Sequence, residues 1–120
     1  MVQYGDTFLG GGEVHGEDHL WIVINEPRAH EGNALLVNVS TLRPRADTTC
    51  VLRSGEHPFI KHESYVRFRS ARRALLEDLE FLVGAGRLQR HSPAASAFLE
   101  RICAAASAAL QLPVELRPLL

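Results

Sequence analysis

The residues Gly55 to Val66, GEHPFIKHESYV, divide the chain into two parts with different hydrophobic periodicity. Before this segment, short β-branched and aromatic runs alternate with turn residues, a pattern that predicts strands. After it, leucines recur at the spacing of a helix. The segment itself carries two histidines, a serine and a lysine, which concentrates reactive side chains more tightly than any other part of the chain. We therefore expect it to link strands to helix and to contribute to a functional site.

Length and composition predict a single globular domain. The chain has 120 residues, of which 46% are hydrophobic, and its formal net charge of −1 gives no global indication of a nucleic-acid or membrane partner. Its two cysteines, Cys50 and Cys103, do not make a disulfide framework. The first residues lack the basic and apolar regions of a signal peptide, and no apolar run is long enough to span a bilayer. These observations predict a cytoplasmic protein.

Two apolar runs predict the central strands of a sheet. His19 to Ile24 and Ala34 to Val39 are rich in β-branched residues, and a polar turn between them predicts an antiparallel hairpin. Consecutive apolar positions indicate strands that are buried on both faces. The other predicted strands are Tyr4 to Leu9, followed by a flexible turn at Gly10 to Gly12, Thr48 to Leu52, and Tyr65 to Arg69. About five short strands with short connections predict a small barrel or a strongly bent sheet.

Two C-terminal helices complete the prediction. The first is indicated by an apolar stripe, with Ser70 as its N-cap and an end at Gly84 to Gly86. The stripe consists of Leu75, Leu76, Leu79, Leu82 and Val83. Ser92 and Pro93 predict the start of a second, alanine-rich helix that ends at Pro113 and allows close approach to the sheet or to a second copy. The predicted organisation is one α+β domain, with residues 1–69 forming the barrel, 70–112 the helices and 113–120 a tail.

Positive charge is concentrated after the organising segment. Between residues 61 and 73 the acidic side chain of Glu63 stands alone against several cationic ones, namely Lys61, Arg67, Arg69, Arg72 and Arg73. Such a patch is typical of a surface that binds phosphates. It is equally typical of a solvated strand end and helix start, and the composition leaves both interpretations open.

Four segments in order carry a family resemblance. They are Gly5-Asp6-Thr7-Phe8, the strand LWIVI from residue 20, the strand LVNVST from residue 36, and His62 to Val66 before the helix. This order resembles the PemK/MazF-like group over residues 1–83. The resemblance implies an SH3-like β-barrel. For the toxin members of that group it further implies a homodimeric endoribonuclease that cuts single-stranded RNA and is blocked by a cognate antitoxin protein. For this chain we expect any such cleavage to need no metal or other cofactor.

The resemblance transfers to individual residues with one departure. The hydroxyl pair that ends the second central strand is present as Ser40 and Thr41, and the serine of the late loop matches Ser64. The arginine-proline pair that opens the first central strand in the family is replaced here by Asp18 and His19. The alternative is therefore a non-catalytic SH3-like interaction module that binds a protein partner or nucleic acid.

RNA cleavage without a metal requires a base, an acid and positive charge at the phosphate. His57 and His62 are the candidate base and acid because histidine titrates near neutral pH, and we predict that both imidazoles face one cationic hollow. Thr41 and Ser64 are candidates to bond phosphate or sugar oxygens. The candidate phosphate-binding residues are Arg43, Lys61, Arg67 and Arg69. The alternative role of each histidine is structural, with His57 capping the turn before Pro58 and His62 bonding backbone.

A metal site is not predicted. Cys50, His57 and His62 are residue types that zinc accepts, but the paired spacing of zinc ligands is missing. Cys50 lies within an apolar run, where it packs as a small hydrophobe. His19, together with His30 and His91, is predicted to be a surface residue.

Overall fold

The computed structural model describes residues 1–10 and 18–120, and an antiparallel six-stranded sheet forms the centre of this part of the chain. The strand order is β4-β5-β3-β2-β1-β6. The strands are β1 (Thr7–Gly10), β2 (His19–Val23), β3 (Asn33–Thr41), β4 (Val51–Leu52), β5 (Ser64–Leu75) and β6 (Gln89–His91). The sheet curls into a half-barrel, and two helices near the C terminus, α1 (Leu76–Gly84) and α2 (Ser96–Ala108), accompany it. The predicted α+β class is confirmed, as is the antiparallel β2–β3 hairpin.

Alternation along the central strands directs side chains to two separate cores. One face of the sheet, represented by Ile22 and Val39, packs against α2 residues such as Ile102. The other face, represented by Val23 and Leu36, packs against Leu79 of α1. The prediction that the central strands are buried on both faces is confirmed. The predicted turn at Gly11 and Gly12 lies outside the described residues.

The predicted junction between strand and helix is wrong by about two turns. β5 continues to Leu75, so Ser70 is a strand residue and not an N-cap, and α1 begins without a side-chain cap. The reason is tertiary pairing. Asn33 pairs with Leu75 at the far end of β3, and the backbone N–H of Leu76 donates to the Gly32 carbonyl at 2.9 Å. The ladder to a nine-residue partner strand therefore overrides the helical spacing of the leucines.

The region after α1 contains a strand that the sequence pattern does not predict. β6 is short and polar and pairs with β1, which makes it the sixth strand of the described sheet where about five were expected. Ser92 is not the cap of α2, which begins at Ser96; its carbonyl instead accepts a hydrogen bond from the Thr7 hydroxyl at 2.7 Å. The C-terminal tail forms a 3-10 helix, Val114–Leu119, with Leu116 buried in the α2 core.

None of the described helices is long and apolar enough to cross a membrane.

The packing of α2 on the sheet predicts a large loss of stability when its buried face is truncated. Ile102 has 0% exposure, so Ile102→Ala leaves a cavity under the helix and should cost about 2–5 kcal/mol of unfolding free energy, measured by chemical denaturation. Leu110→Ala is the matched control because Leu110 is 95% exposed, and its change should stay within about 0.5 kcal/mol. Similar losses in both variants would contradict the described packing.

Candidate functional site

A cavity of about 770 Å³ lies where β3 ends and β5 begins, and we call it the strand-end cavity. Its described polar and charged lining consists of Asp18, His19, Ser40, Thr41, Arg43, Lys61, His62, Ser64, Tyr65 and Arg67. These residues come from three separate parts of the sequence, 18–19, 40–43 and 61–67. The cavity is therefore a product of the fold and not of one local motif.

The ladder between β3 and β5 brings the first of these parts together. Thr41 pairs with Ser64, and Ser40 pairs with Tyr65, so the hydroxyl pair at the end of β3 lies beside the start of β5. β2 lies on the other side of β3, with Leu20 opposite Val39. The first residue of β2, His19, therefore falls beside the end of β3.

The loop between β4 and β5, residues 53–63, forms another wall of the cavity. It turns tightly at Gly55, whose φ of +90° favours glycine and whose N–H donates to the Ile60 carbonyl at 2.8 Å. The Ser54 hydroxyl donates to the Lys61 carbonyl at 3.0 Å. These bonds fold the loop back on itself so that Lys61 and His62 project into the cavity lining.

His57 is buried and does not line the strand-end cavity. Its Nε2 donates to the Ser92 carbonyl at 2.6 Å, and its Nδ1 accepts a hydrogen bond from the Phe59 N–H at 3.1 Å. Both ring nitrogens are thus used within the fold, and the ring holds its single proton on Nε2. Burial lowers the pKa of His57, with the Ser92 hydrogen bond opposing this effect and the nearby His91 ring adding to it. The prediction that His57 and His62 share one hollow is wrong, because folding uses His57 to attach the loop to the segment before α2.

The same loop has a second anchor, on α2. The Arg101 guanidinium of α2 contacts the Glu56 carboxylate at 2.7 Å and donates to the Val51 carbonyl at 3.3 Å. The hydrogen bond from Arg101 lowers the pKa of Glu56. This pair borders a separate cavity of about 860 Å³ that also contains Cys50. The loop is therefore held by two contacts, one with Ser92 and one with α2.

The two histidines that line the strand-end cavity are His62, which is exposed, and His19, which is half-buried. Sequence reasoning treated His19 as an ordinary surface residue. The signal that points to it is the predicted hairpin, since the first residue of one central strand falls opposite the last residues of the other. An imidazole at that point is directed to the same strand end as the hydroxyl pair.

The predicted hydroxyl residues differ in what they offer to a ligand. Ser64 is buried, and its hydroxyl donates to the His62 carbonyl at 3.0 Å, so it fixes the backbone of His62. Thr41 is exposed at the end of β3. Ser40 also lines the cavity, and its buried hydroxyl has no hydrogen-bond partner among the described residues.

Three of the four predicted phosphate-binding residues line the cavity. Arg43, Lys61 and Arg67 do so, whereas the exposed Arg69 lies outside the described lining. Against these cations the described lining contains one carboxylate, that of Asp18. The local field is therefore positive and suits an anionic ligand.

The residues considered for a metal site are not assembled. No group of three or more histidine, cysteine or acidic side chains suited to a metal ion occurs among residues 1–10 and 18–120, so Cys50, His57 and His62 do not form one. Cys50 is buried in the α2 core, and this burial raises the pKa of its thiol. Cys103 is half-buried, and its thiol donates to the Ile24 carbonyl at 3.3 Å.

Comparison with known proteins identifies a similar fold. No protein-family model and no curated protein sequence matches the chain. Among solved structures, the chain is similar to an endoribonuclease in complex with its cognate antitoxin from mycobacterial species, with a TM-score of 0.60 and 17% sequence identity. The superposition covers 94% of this chain and 98% of that chain. The chain therefore shares its fold with that endoribonuclease over nearly its whole length.

The buried state of His57 predicts a specific pH dependence of stability. Because its pKa is lowered from 6.5, the folded protein binds fewer protons than the unfolded chain as the pH falls below about 6.5. The stabilising contribution of the neutral ring is complete above that pH and is lost on acidification. The difference in Tm between the wild type and His57→Gln should therefore be positive at pH 8 and shrink towards pH 5. His62→Gln, which alters an exposed histidine of the same loop, is the control and should track the wild type; a constant His57 difference would contradict the assignment.

Proposed function

We propose that this chain is the toxin of a PemK/MazF-like toxin–antitoxin pair, an SH3-like endoribonuclease that cuts single-stranded RNA in the strand-end cavity without a metal. The observation that carries the proposal is the shared lining of that cavity, which contains His19, His62, three cationic side chains and the hydroxyl pair of β3. The similarity in fold to an endoribonuclease supports it.

The proposed reaction is an internal transfer within the RNA strand. One imidazole of the His19 and His62 pair takes the proton of a 2′-hydroxyl, and the 2′-oxygen forms a bond to the neighbouring phosphorus. The bond from that phosphorus to the 5′-oxygen breaks, and the other imidazole donates a proton to the leaving oxygen. The products are a 2′,3′-cyclic phosphate and a 5′-hydroxyl, and no oxidant, reductant or metal takes part.

The cationic residues stabilise the charge that this reaction develops. Arg67 and Arg43 bind phosphate oxygens, since arginine presents several donors in a fixed planar arrangement. Lys61 adds a mobile positive charge from the loop wall. Ser64 acts as a positioning residue because its hydroxyl is committed to the His62 carbonyl.

The second candidate function is a non-catalytic module that binds nucleic acid or a protein partner. It is favoured by the pair Asp18 and His19, which occupies the place of the arginine-proline pair of the resembled family. Asp18 also brings a carboxylate to the cavity lining, and this weakens the field at a bound phosphate. In the enzyme proposal, His19 takes over the chemistry at that place.

The enzyme proposal predicts that removal of either cavity imidazole abolishes most RNA cleavage. His62→Ala and His19→Ala should each lower the cleavage rate of a single-stranded RNA by roughly 100- to 10,000-fold, because each removes one proton-transfer group. The measurement is cleavage of a labelled oligoribonucleotide by the purified protein, accompanied by growth after induction in cells.

Two controls accompany this measurement. His30→Ala alters a histidine of the 3-10 helix Pro27–His30, outside the described cavity lining, and should retain wild-type activity. Thermal unfolding checks that the cavity variants remain folded. If the wild type neither cleaves RNA nor slows growth, the enzyme proposal is contradicted and the non-catalytic binding module becomes the favoured function.

The proposal also includes a homodimer and a small antitoxin protein as partners. The C-terminal half of α2 presents two small, exposed side chains one turn apart, Ala104 and Ala108, which permit close approach of a second chain. Light scattering after size-exclusion chromatography should give twice the 13.3 kDa chain mass, and Ala104→Arg should yield the single-chain mass. Glu80→Arg on α1 is the control for added positive charge. A wild-type mass of one chain would contradict the homodimer.

A further inference from the structure

Asn38 is a buried amide whose oxygen has no hydrogen-bond partner among the described residues. It lies in the middle of β3, its exposure is 5%, and its Oδ1 is without a donor. Asn25, the other buried asparagine of the described sheet region, is satisfied at both ends. Its Nδ2 donates to the Asn33 carbonyl at 3.0 Å, and its Oδ1 accepts from the Leu35 N–H at 2.8 Å. A buried polar atom without a partner destabilises the free protein and therefore calls for an explanation.

The position of Asn38 connects it to the strand-end cavity. Ser40 lies two residues further along β3, on the same face, and its unpartnered hydroxyl belongs to the cavity lining. On β5, Arg67 pairs with Asn38 and Tyr65 pairs with Ser40, and both of these residues also line the cavity. On β2, Trp21 pairs with Asn38 from the other side. The Ser40 hydroxyl at the cavity and the Asn38 Oδ1 deeper in the sheet are thus neighbouring polar atoms without a partner among the described residues.

The ladder is irregular at this point. The register between β3 and β5 shifts between Leu36 and Asn38, so that Leu36 pairs with Arg72 and Asn38 with Arg67. Irregularities of this kind redirect side chains beside functional sites. Asn38 therefore belongs to the part of the ladder that runs to Thr41 and the strand-end cavity, and not to the part that pairs Asn33 to Leu36 with β5.

We propose that Asn38 and Ser40 form a nucleobase-binding subsite that gives the strand-end cavity its base preference. This inference rests on the proposed function for the identity of the ligand, an RNA strand. A side-chain amide presents one donor beside one acceptor and so bonds a base edge with the complementary pair. Tyr65 offers an aromatic ring for stacking, and Arg67 binds the adjoining phosphate.

Access to the amide requires a movement of a neighbouring side chain. Asn38 is covered in the free protein, and the register puts the long side chain of Arg67 directly opposite it. Arg67 is half-buried and has a flexible stem. When its guanidinium turns to a phosphate, the amide becomes available to the base attached to the same strand. Phosphate binding and base recognition are coupled in this way.

The subsite has a consequence for stability that does not depend on RNA. Asn38→Leu replaces an unsatisfied amide with an apolar group of similar size and should raise Tm by a few degrees. Asn25→Leu, the matched control, removes two made hydrogen bonds and should lower Tm. A fall in Tm for Asn38→Leu would show that the amide is satisfied in the free protein and would overturn the proposal.

The binding test uses four uniform RNA octamers, of adenine, cytosine, guanine or uracil, that carry 2′-O-methyl groups and cannot be cleaved. The ratio of the tightest to the weakest Kd should lie within about 5- to 150-fold for the wild type. Asn38→Leu should reduce this ratio to about twofold or less while leaving the salt dependence of binding unchanged. Ser40→Ala is the second subsite variant and should reduce the ratio in part.

Two further variants separate base recognition from other effects. Arg67→Gln should weaken the binding of every octamer and lower the salt slope by about one, whereas Asn38→Leu should leave that slope unchanged. Asn33→Ala removes an asparagine that bonds the His30 carbonyl, outside the described lining of the cavity, and should keep the wild-type ratio.

The outcomes distinguish this inference from the proposed function. If Asn38→Leu loses the base preference and the wild type does not cleave RNA, the subsite is supported and the nuclease proposal is contradicted. Cleavage with an unchanged preference in Asn38→Leu supports the nuclease and overturns the subsite. A wild type that binds all four octamers within about twofold also overturns the subsite.

Discussion

The antiparallel pairing of β3 with β5 is the constraint on which the rest of the structure depends. It joins the hairpin of β2 and β3 to the C-terminal half of the chain, and its upper end pairs Thr41 with Ser64. Because the chain must return to the end of β3 to begin this ladder, the 53–63 loop closes over that strand end. The strand-end cavity is the space between the loop and the strand ends. The far end of the same ladder, where Asn33 pairs with Leu75, decides where α1 begins.

The loop is held by contacts outside the cavity, which leaves the groups inside it available. His57 bonds the segment before α2, and Glu56 pairs with Arg101 of α2, whereas His62 and Lys61 face the cavity. Two residues of the loop thus attach it to the rest of the fold, and two others remain available to a ligand. By contrast, the Asn38 Oδ1 and Ser40 Oγ atoms have no hydrogen-bond partner among the described residues. Two of the three such atoms in the described part of the chain lie at or beside this cavity, and the third belongs to Asp47. Unsatisfied polar atoms beside a site are expected where stability is given up for binding.

Local sequence was sufficient for some elements and not for others. The strands from His19 and Ala34 were predictable because their β-branched, apolar runs agree with their burial between two cores. The extension of β5 was not, because the leucine spacing favours a helix and only the ladder to β3 makes these residues extended. β6 carries no apolar pattern at all and exists through its pairing with β1.

In the site, the cationic residues and His62 were recognisable by type and proximity in sequence. The anchoring role of His57 was not recognisable, because it depends on Ser92, which is remote in sequence. The place of His19 in the cavity was missed as well, because it depends on the register of the β2–β3 hairpin.

The central claim is that RNA binds in the strand-end cavity, against His19 and His62, while His57 only anchors the loop. The most direct test follows the imidazole carbon–proton NMR signals of the chain's six histidines, assigned by single substitutions, during titration with an uncleavable 2′-O-methyl RNA octamer. The account predicts that the His19 and His62 signals shift together, with one saturation curve, and that the His57 signal stays in place. A His57 signal that follows the same curve, or a His62 signal that does not move at saturation, would contradict it.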